Sequence, residues 1–312
     1  MPITLKGYYT NASVMEKVEL QVDHHDIWDL LSIECLWVYN SVKGIKSNGK
    51  WSTAFEAPAS VIFVKTGLAE LAYGDNVYQC PANTCFFASP GIRRQRFEIG
   101  TLVMSVGYKA EWLTGQPFFD SGLNIIHAIS DPDSLYTQSH KLFSEIYGDS
   151  ASGVSFDTAV KQKAKTLQSH LHLKSRFMDW FSVLVSRLET LGVTTSSIGS
   201  TDRRSHRLIQ LIRSMPLDKP FDKSHIIHGM NLSWRRTEQI FKESFNISPN
   251  EFHQRRRLSE AKRLLRIEDV PIKEIAFLLA FPQPSSFTNW FKNRTETSPQ
   301  LFRNMAYPHD GE

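Results

Sequence analysis

Cysteine is scarce in this chain: Cys35, Cys80 and Cys85 are the only three among 312 residues. An odd number, with no metal-ligand spacing between them, argues against a disulfide framework and gives no cysteine-based metal site. Reduced, buried thiols of a cytoplasmic protein are the expectation. Long apolar runs are missing too. No stretch is long enough to cross a bilayer and none near the start resembles a signal peptide, so a soluble chain with no membrane partner is expected. Charge of one sign is also in short supply, the formal net charge being only +4. That small total hides a division. Residues 1–202 hold 17 Lys and Arg against 20 Asp and Glu, whereas residues 203–312 hold 19 against 12. A basic third on a near-neutral body points either to a polyanion partner or to a solvated basic surface.

What the basic third does contain is a repeat. Phe241-Lys242, Ser248-Pro249 and Phe252 return fifty residues later as Phe291-Lys292, Ser298-Pro299 and Phe302. Two copies of one small unit settle architecture before any single residue does. Each copy reads as a short apolar helix, a tight turn and a second helix ending in Phe-Lys. In the first copy Ile226 and Ile227 lie on the short helix, Gly229-Met230-Asn231 turns, and Ser233 is an N-cap candidate. In the second, Ile272, Ile275, Ala276 and Leu279 form the short helix, Ala280-Phe281 turns, and Pro284 opens the next helix, where no amide donor is needed. Residues 249–266 between them read as one helix. Its 18 residues would span ~27 Å, near the ~34 Å of one DNA turn.

A short helix, a turn and a second helix is the helix-turn-helix motif, whose second helix enters the major groove. Helical spacing turns Thr237, Ile240, Phe241 and Phe245 inward in the first copy, and Phe287, Trp290 and Phe291 in the second. Arg235, Arg236 and Gln239, with Ser285, Ser286 and Asn289, are then left facing out as candidates for base edges. Arg suits guanine O6/N7 and Gln suits adenine N6/N7. Lys242, Lys292 and Arg255 to Arg257 suit phosphates, which position without specifying. A solvated helix face is the competing reading for each.

Upstream the signals change. Short runs such as residues 60–65, 68–73, 85–88 and 102–106, separated by Gly, Pro, Asn and Asp, read as strands of a sandwich or barrel. From about residue 132 the period becomes helical, first at Phe156, Val160, Ala164, Leu167 and Leu171, then at Phe177, Trp180, Phe181, Leu184, Val185, Leu188 and Leu191. The second series also suits a dimer face. Residues 192–202, uncharged but for the last and containing two glycines, have the composition of a flexible linker.

Residues 204–308 resemble the DNA-binding domain of the AraC/XylS family of bacterial transcription regulators. The residues that carry the likeness are Leu232-Ser233, Ile240-Phe241-Lys242, Ser248-Pro249-Asn250-Glu251-Phe252, Arg257-Leu258, Ala261-Lys262-Arg263-Leu264-Leu265, Ile272-Lys273-Glu274-Ile275-Ala276, Phe281, Ser286-Phe287, Phe291-Lys292 and Ser298-Pro299. The resemblance implies two helix-turn-helix units, at residues 222–245 and 271–294, joined by a linker helix at 249–266 within an all-α domain at 203–308. Where the family has Gly in the turns, this chain has Asn231 and Ala280. Thr295-Glu296 replaces a Phe-Gly, and the second unit is expected to grip DNA less firmly.

The strand-rich region resembles, in pattern, the cupin-like sensor domain of such regulators. The fold expected is α+β and multidomain: a cupin-like β-barrel or jelly roll with following helices over residues 1–191, then the helical domain. A metal cupin needs His-x-His with further Glu and His, and that set is absent, so no metal, cofactor or catalytic residue is expected. Trp37, Trp51, Phe63 and Tyr73, with Arg93 and Arg94, are candidates to hold a small-molecule effector, though such aromatics also suffice to fill a core. The implied function is a homodimeric, effector-controlled transcription activator contacting promoter DNA and RNA polymerase. A cupin-type enzyme with a basic appendage and an architectural DNA binder are the alternatives.

Overall fold

The computed structural model describes residues 30–41, 49–130, 133–148, 166–196, 203–265 and 270–306. Its first half is built from β1 (Leu31–Asn40), β2 (Ser52–Ala57), β3 (Ala59–Thr66), β4 (Leu68–Tyr73), β5 (Asn76–Pro81), β6 (Thr84–Ala88), β7 (Gly91–Phe97), β8 (Leu102–Trp112), β9 (Phe119–Ser121) and β10 (Ile125–Ala128). Two larger antiparallel sheets result, one ordered β1-β8-β3-β6-β10 and the other β2-β7-β4-β5, while β9 belongs to a separate two-stranded sheet. The run Ser60 to Val64 is apolar on both sides because β3 is buried on both faces. Ile62 and Val64 face the second sheet, where Phe86, Ala88, Val103, Ala69, Leu71 and Cys80 join them. Val61 and Phe63 face the other way, with Phe87, Met104, Val106 and Tyr108.

That second face is covered by α1 (Ser134–Tyr147) and α2 (Leu167–Thr190). The second apolar series of the sequence is the buried stripe of α2: Phe177, Trp180, Phe181, Leu184 and Leu188. The Trp180 ring lies 5.8 Å from that of Tyr108, and its indole N–H donates to Ser139 Oγ at 2.7 Å, so the one polar atom of a fully buried tryptophan is satisfied. Leu167 and Leu171, expected on an apolar face, are instead 73% and 55% exposed, because they lie on the first turns of α2, ahead of its buried stripe. Phe156, Val160 and Ala164 lie outside the described residues.

The linker reading needs a correction at its start. Thr194-Thr195 form β11, paired with β9, and Val193 and Ser196 are buried. Trp112 Nε1 donates to both the carbonyl and the hydroxyl of Ser196, at 3.2 and 2.9 Å. Small uncharged residues fit a sheet margin as readily as a tether. Residues 197–202 lie outside the described set.

The C-terminal third comprises α3 (Arg203–Ser214), α4 (Lys223–Met230), α5 (Trp234–Phe245), α6 (Pro249–Leu265), α7 (Ile272–Leu278), α8 (Pro284–Thr295) and α9 (Pro299–Ala306). The repeat is now legible as physics. Ser248 Oγ accepts from the Glu251 amide at 3.1 Å, and Ser298 Oγ from the Leu301 amide at 3.2 Å, so the two Ser-Pro pairs start α6 and α9 in the same way. Phe241 packs on Phe252 at 5.7 Å between ring centroids, and Phe291 on Phe302 at 5.4 Å. Helix α6 serves two cores. Phe252, near its start, joins Ile226, Ile240, Phe241 and Phe245, while Ala261, Leu264 and Leu265 at its end join Ile275, Leu279, Phe287 and Phe291. A single rod of 17 residues, ~25 Å long, therefore fixes α5 relative to α8.

Candidate nucleic-acid interface

Helix α5 is positioned by its two ends. Asp222 caps α4, its Oδ1 accepting from the Ser224 and His225 amides at 2.8 and 3.2 Å. The turn is closed by Asn231 in the left-handed region at φ 53°, a conformation Asn tolerates. Ser233 Oγ then accepts from the Arg236 amide at 3.3 Å and starts α5. With both ends set, Thr237, Ile240, Phe241 and Phe245 are buried, and Arg235, Arg236, Gln239 and Lys242 are exposed. On that exposed face Arg236 Nη1 donates to Gln239 Oε1 at 3.0 Å, and Gln239 Nε2 donates to Glu243 Oε1 at 2.7 Å. An amide has two donors and two acceptor sites, so this chain leaves Gln239 one of each for an adenine edge.

The second pair is made with weaker local chemistry. Helix α7 has no side-chain cap at Pro271, and α8 has none at Gln283. The turn falls on Ala280 at φ 57°, where a Cβ is strained. Its closure is sound nonetheless: the Phe281 amide reaches the Ala276 carbonyl at 2.9 Å. Phe287 and Phe291 are buried, and Ser285, Ser286, Asn289 and Lys292 are exposed. Glu296 ends α8 in the left-handed region at φ 61°, the place Asn246 holds in the first copy at φ 54°.

The arginines of α6 are occupied within the protein. Arg256 donates to the Ile212 carbonyl, to that of Arg213 at 2.9 Å and to that of Met215 at 3.4 Å, so its guanidinium closes the C-terminal end of α3. Burial, and then the nearby charge of Arg213, lower its pKa. Arg255 Nη1 donates to the Thr114 carbonyl in the strand-rich half at 2.6 Å, and its Nε to Glu251 at 3.3 Å. Glu251 also receives Arg294 of α8 at 2.9 and 3.1 Å, and this bond above all holds its carboxyl below the ordinary range.

Arg257 corrects the phosphate reading outright. It is buried, donates to the Leu279 carbonyl, and lies 4.3 Å above the Phe281 ring and 5.6 Å from that of Trp290. The sequence carries the signal in its spacing: His253, Arg257, Ala261 and Leu265 step by four along one buried stripe. Gln254 completes the joint by accepting from Trp290 Nε1 at 3.2 Å.

The six residues proposed for an effector do not share one place. Phe63 faces the helices, its ring 5.3 Å from that of Tyr136. Trp51 stands on the outside, 38% exposed, with Arg94 and Arg96 at 5.6 and 5.0 Å from its ring. Alternation along the strands is the reason: adjacent residues such as Arg93 and Arg94 go to opposite faces. Only Trp37, Tyr73 and Arg93 reach the space between the sheets. Among the described residues, no helix is long and apolar enough to cross a membrane.

Comparison with known proteins places this geometry. Residues 228–305 match the family described as "Helix-turn-helix domain". Over 129 residues the chain is 37% identical to "Uncharacterized HTH-type transcriptional regulator YobQ" of Bacillus subtilis, covering 37% of this chain and 54% of that protein. Over 121 residues it is 28% identical to "Arabinose operon regulatory protein" of Escherichia coli, covering 39% and 41%. The chain thus spans about half, or less, of the length of these curated relatives. Among solved structures, ToxT of Vibrio cholerae is 14% identical with a TM-score of 0.44, over 89% of this chain and 98% of its own. The C-terminal third of this chain carries a helix-turn-helix domain of the AraC/XylS type.

Proposed function

We propose that the whole chain is a sequence-specific DNA-binding transcription regulator, an activator whose output is set by a small-molecule effector. In this reading α4–α5 and α7–α8 are two helix-turn-helix units, and α5 and α8 enter successive major-groove segments. Arg235, Arg236 and Gln239 read one segment, and Ser285, Ser286 and Asn289 the next. Lys242 and Lys292, one at the same place in each copy, take phosphates. Arg256 is the weaker phosphate candidate, since its donors already close α3. The strand-rich half is a cupin-like barrel that senses the effector, and a second copy of the chain and RNA polymerase are the expected protein partners. The observation that carries the reading is the pair of outward polar faces on α5 and α8, held by the one rod α6.

Selection of binding sites from random duplex DNA by the purified full chain tests it. A bipartite site, with two conserved blocks about one helical turn apart, is expected. Enrichment of no sequence, despite measurable binding, would favour the architectural reading instead.

A further inference from the structure

We propose that Glu251 is a positioning residue for α8: its carboxylate fixes how the second outward face is turned, and Arg255 aligns that carboxylate from the strand-rich half. The inference rests on the reading of α8 as a DNA-reading helix. The two copies differ where their second helices end. Across the fifty-residue offset, Phe245 corresponds to Thr295 and Ser244 to Arg294. Phe245 is 4% exposed and its ring lies 4.8 Å from that of Phe241, so burial anchors the end of α5. Thr295 brings no ring to that place, and its hydroxyl turns back to the Phe291 carbonyl of its own helix at 2.9 Å. The end of α8 is held instead by Arg294, whose Nη1 and Nη2 donate to the two oxygens of Glu251 at 3.1 and 2.9 Å. Two parallel bonds fix direction as well as distance. Each charge also suits its helix end, since Glu251 lies in the first turn of α6 and Arg294 in the last turn of α8.

A second contact lies one turn away. Gln254 of α6 accepts from Trp290 Nε1 of α8 at 3.2 Å, and the Arg294 guanidinium lies 5.7 Å from the Trp290 ring. Contacts at two levels restrain roll about the helix axis, whereas a single one would leave α8 free to pivot on it. Roll decides where Ser285, Ser286 and Asn289 point, and the starts of α7 and α8 carry no side-chain cap to set it. The carboxylate is itself oriented from outside the pair. Arg255, one turn on in α6, donates from Nε to Glu251 Oε1 at 3.3 Å, the oxygen that also takes Arg294 Nη1. Its own Nη1 is fixed on the Thr114 carbonyl at 2.6 Å, and its stem packs on Gly115, where an added Cβ would stand 3.4 Å from Cδ. Thr114 is 3% exposed, so the anchor belongs to a packed turn. The contacts run unbroken from Thr114 through Arg255 and Glu251 to Arg294.

Fluorine NMR of the full chain made with fluorotryptophan, without DNA, tests the positioning, the Trp290 resonance being identified by its loss in Trp290→Phe. Glu251→Gln should shift that resonance. Arg255→Gln, whose lost bonds go to Thr114 and Glu251, should shift it in the same direction and add nothing once residue 251 is Gln. An unmoved resonance in Glu251→Gln, or an Arg255→Gln effect that persists without the carboxylate, would overturn the proposal. Binding to the selected bipartite site, with each block scrambled in turn, gives the second readout. The parent should lose a few-fold when the block under α8 is scrambled. In Glu251→Gln and in Arg294→Lys that loss should disappear, while the loss at the block under α5 stays as in the parent. Arg294→Lys keeps the charge that DNA meets but cannot make two parallel bonds to a carboxylate. Undiminished discrimination at the α8 block in either variant, or equal weakening at both blocks, counts against Glu251 as the positioning group. A parent indifferent to both blocks would sink the DNA-reading proposal, and the fluorine spectra would still decide whether Glu251 sets α8.

Discussion

Lowering the pH should weaken the helical third through one residue, His253. It lies in α6 with no exposed surface, neither ring nitrogen has a hydrogen-bond partner, and the Phe221 ring is 5.4 Å away. Burial, and then the charges of Arg256 and Arg257, push its pKa down from 6.5 to about 4. The sign follows from proton counting. Between those values the unfolded chain binds a proton that the folded chain refuses, so stability is full above pH 6.5 and declines as pH falls toward 4. For a single site the loss between pH 7.5 and pH 5 is about 2 kcal/mol, growing to about 3 kcal/mol at pH 4. With a urea slope of ~1–2 kcal/mol per molar, the midpoint should move down by about 1 M or more by pH 5. The measurement is urea unfolding at 222 nm, where helix dominates, on the parent chain and on His253→Leu. The variant should lose about 2 kcal/mol less than the parent over that interval, since carboxylates such as Glu251 titrate alike in both. It should also be no less stable at pH 7.5, because an unsatisfied buried N–H costs about 1–3 kcal/mol. Parallel profiles for the two proteins would refute the argument.

Other expectations are open to direct measurement. Arg235→Ala and Gln239→Ala should each cost roughly 1–3 kcal/mol of affinity at one or two base pairs, while Lys242→Ala weakens every sequence alike and lowers the salt slope by about one; equal losses on specific and random DNA for Arg235→Ala would remove it from the base-reading set. Ala280→Gly should stabilise the chain by roughly 0.5–1 kcal/mol in urea unfolding, since the turn already sits at positive φ. Arg257→Lys should be destabilising by about 2 kcal/mol or more, because an ammonium cannot both lie flat over Phe281 and reach the Leu279 carbonyl; near-parental stability would show that charge alone matters there. Scrambling the half-site under α5 should abolish binding in a titration and scrambling that under α8 should cost only a few-fold, with equal losses overturning the ranking.

Much of the helical third could be read from residues in order. Ser233, Ser248 and Ser298 start helices through bonds that span three residues, and the inward positions of α5 and α8 follow a period of 3.6, so both are local facts. The strand faces were harder. Runs such as residues 60–64 are apolar on both sides, and periodicity cannot say which side meets the other sheet and which the helices. Strands β1 and β2 are not individually legible in the sequence, because Leu31–Asn40 mixes Glu34, Ser32 and Asn40 with its apolar residues and lies only partly buried. For the same reason the six effector candidates share residue type and not place, since the pleat sends strand neighbours such as Arg93 and Arg94 to opposite faces.

The sequence by itself determined the doubled unit, the tight turns at Asn231 and Ala280, the rod between the copies and the polar faces on α5 and α8. Each rests on interactions that reach no more than one or two helical turns. Tertiary structure alone decided the fate of the arginines. Arg255 meets Thr114 from 141 residues away, Arg256 meets α3 from about 41 to 44 away, and Arg257 meets Leu279 from 22 away. Arg93, too, differs from Arg94 only in the side of the strand it takes. A guanidinium suits a phosphate, a carbonyl, a carboxylate or an aromatic ring equally well by its own chemistry. Which of these it meets depends on the neighbours that chain folding brings within reach.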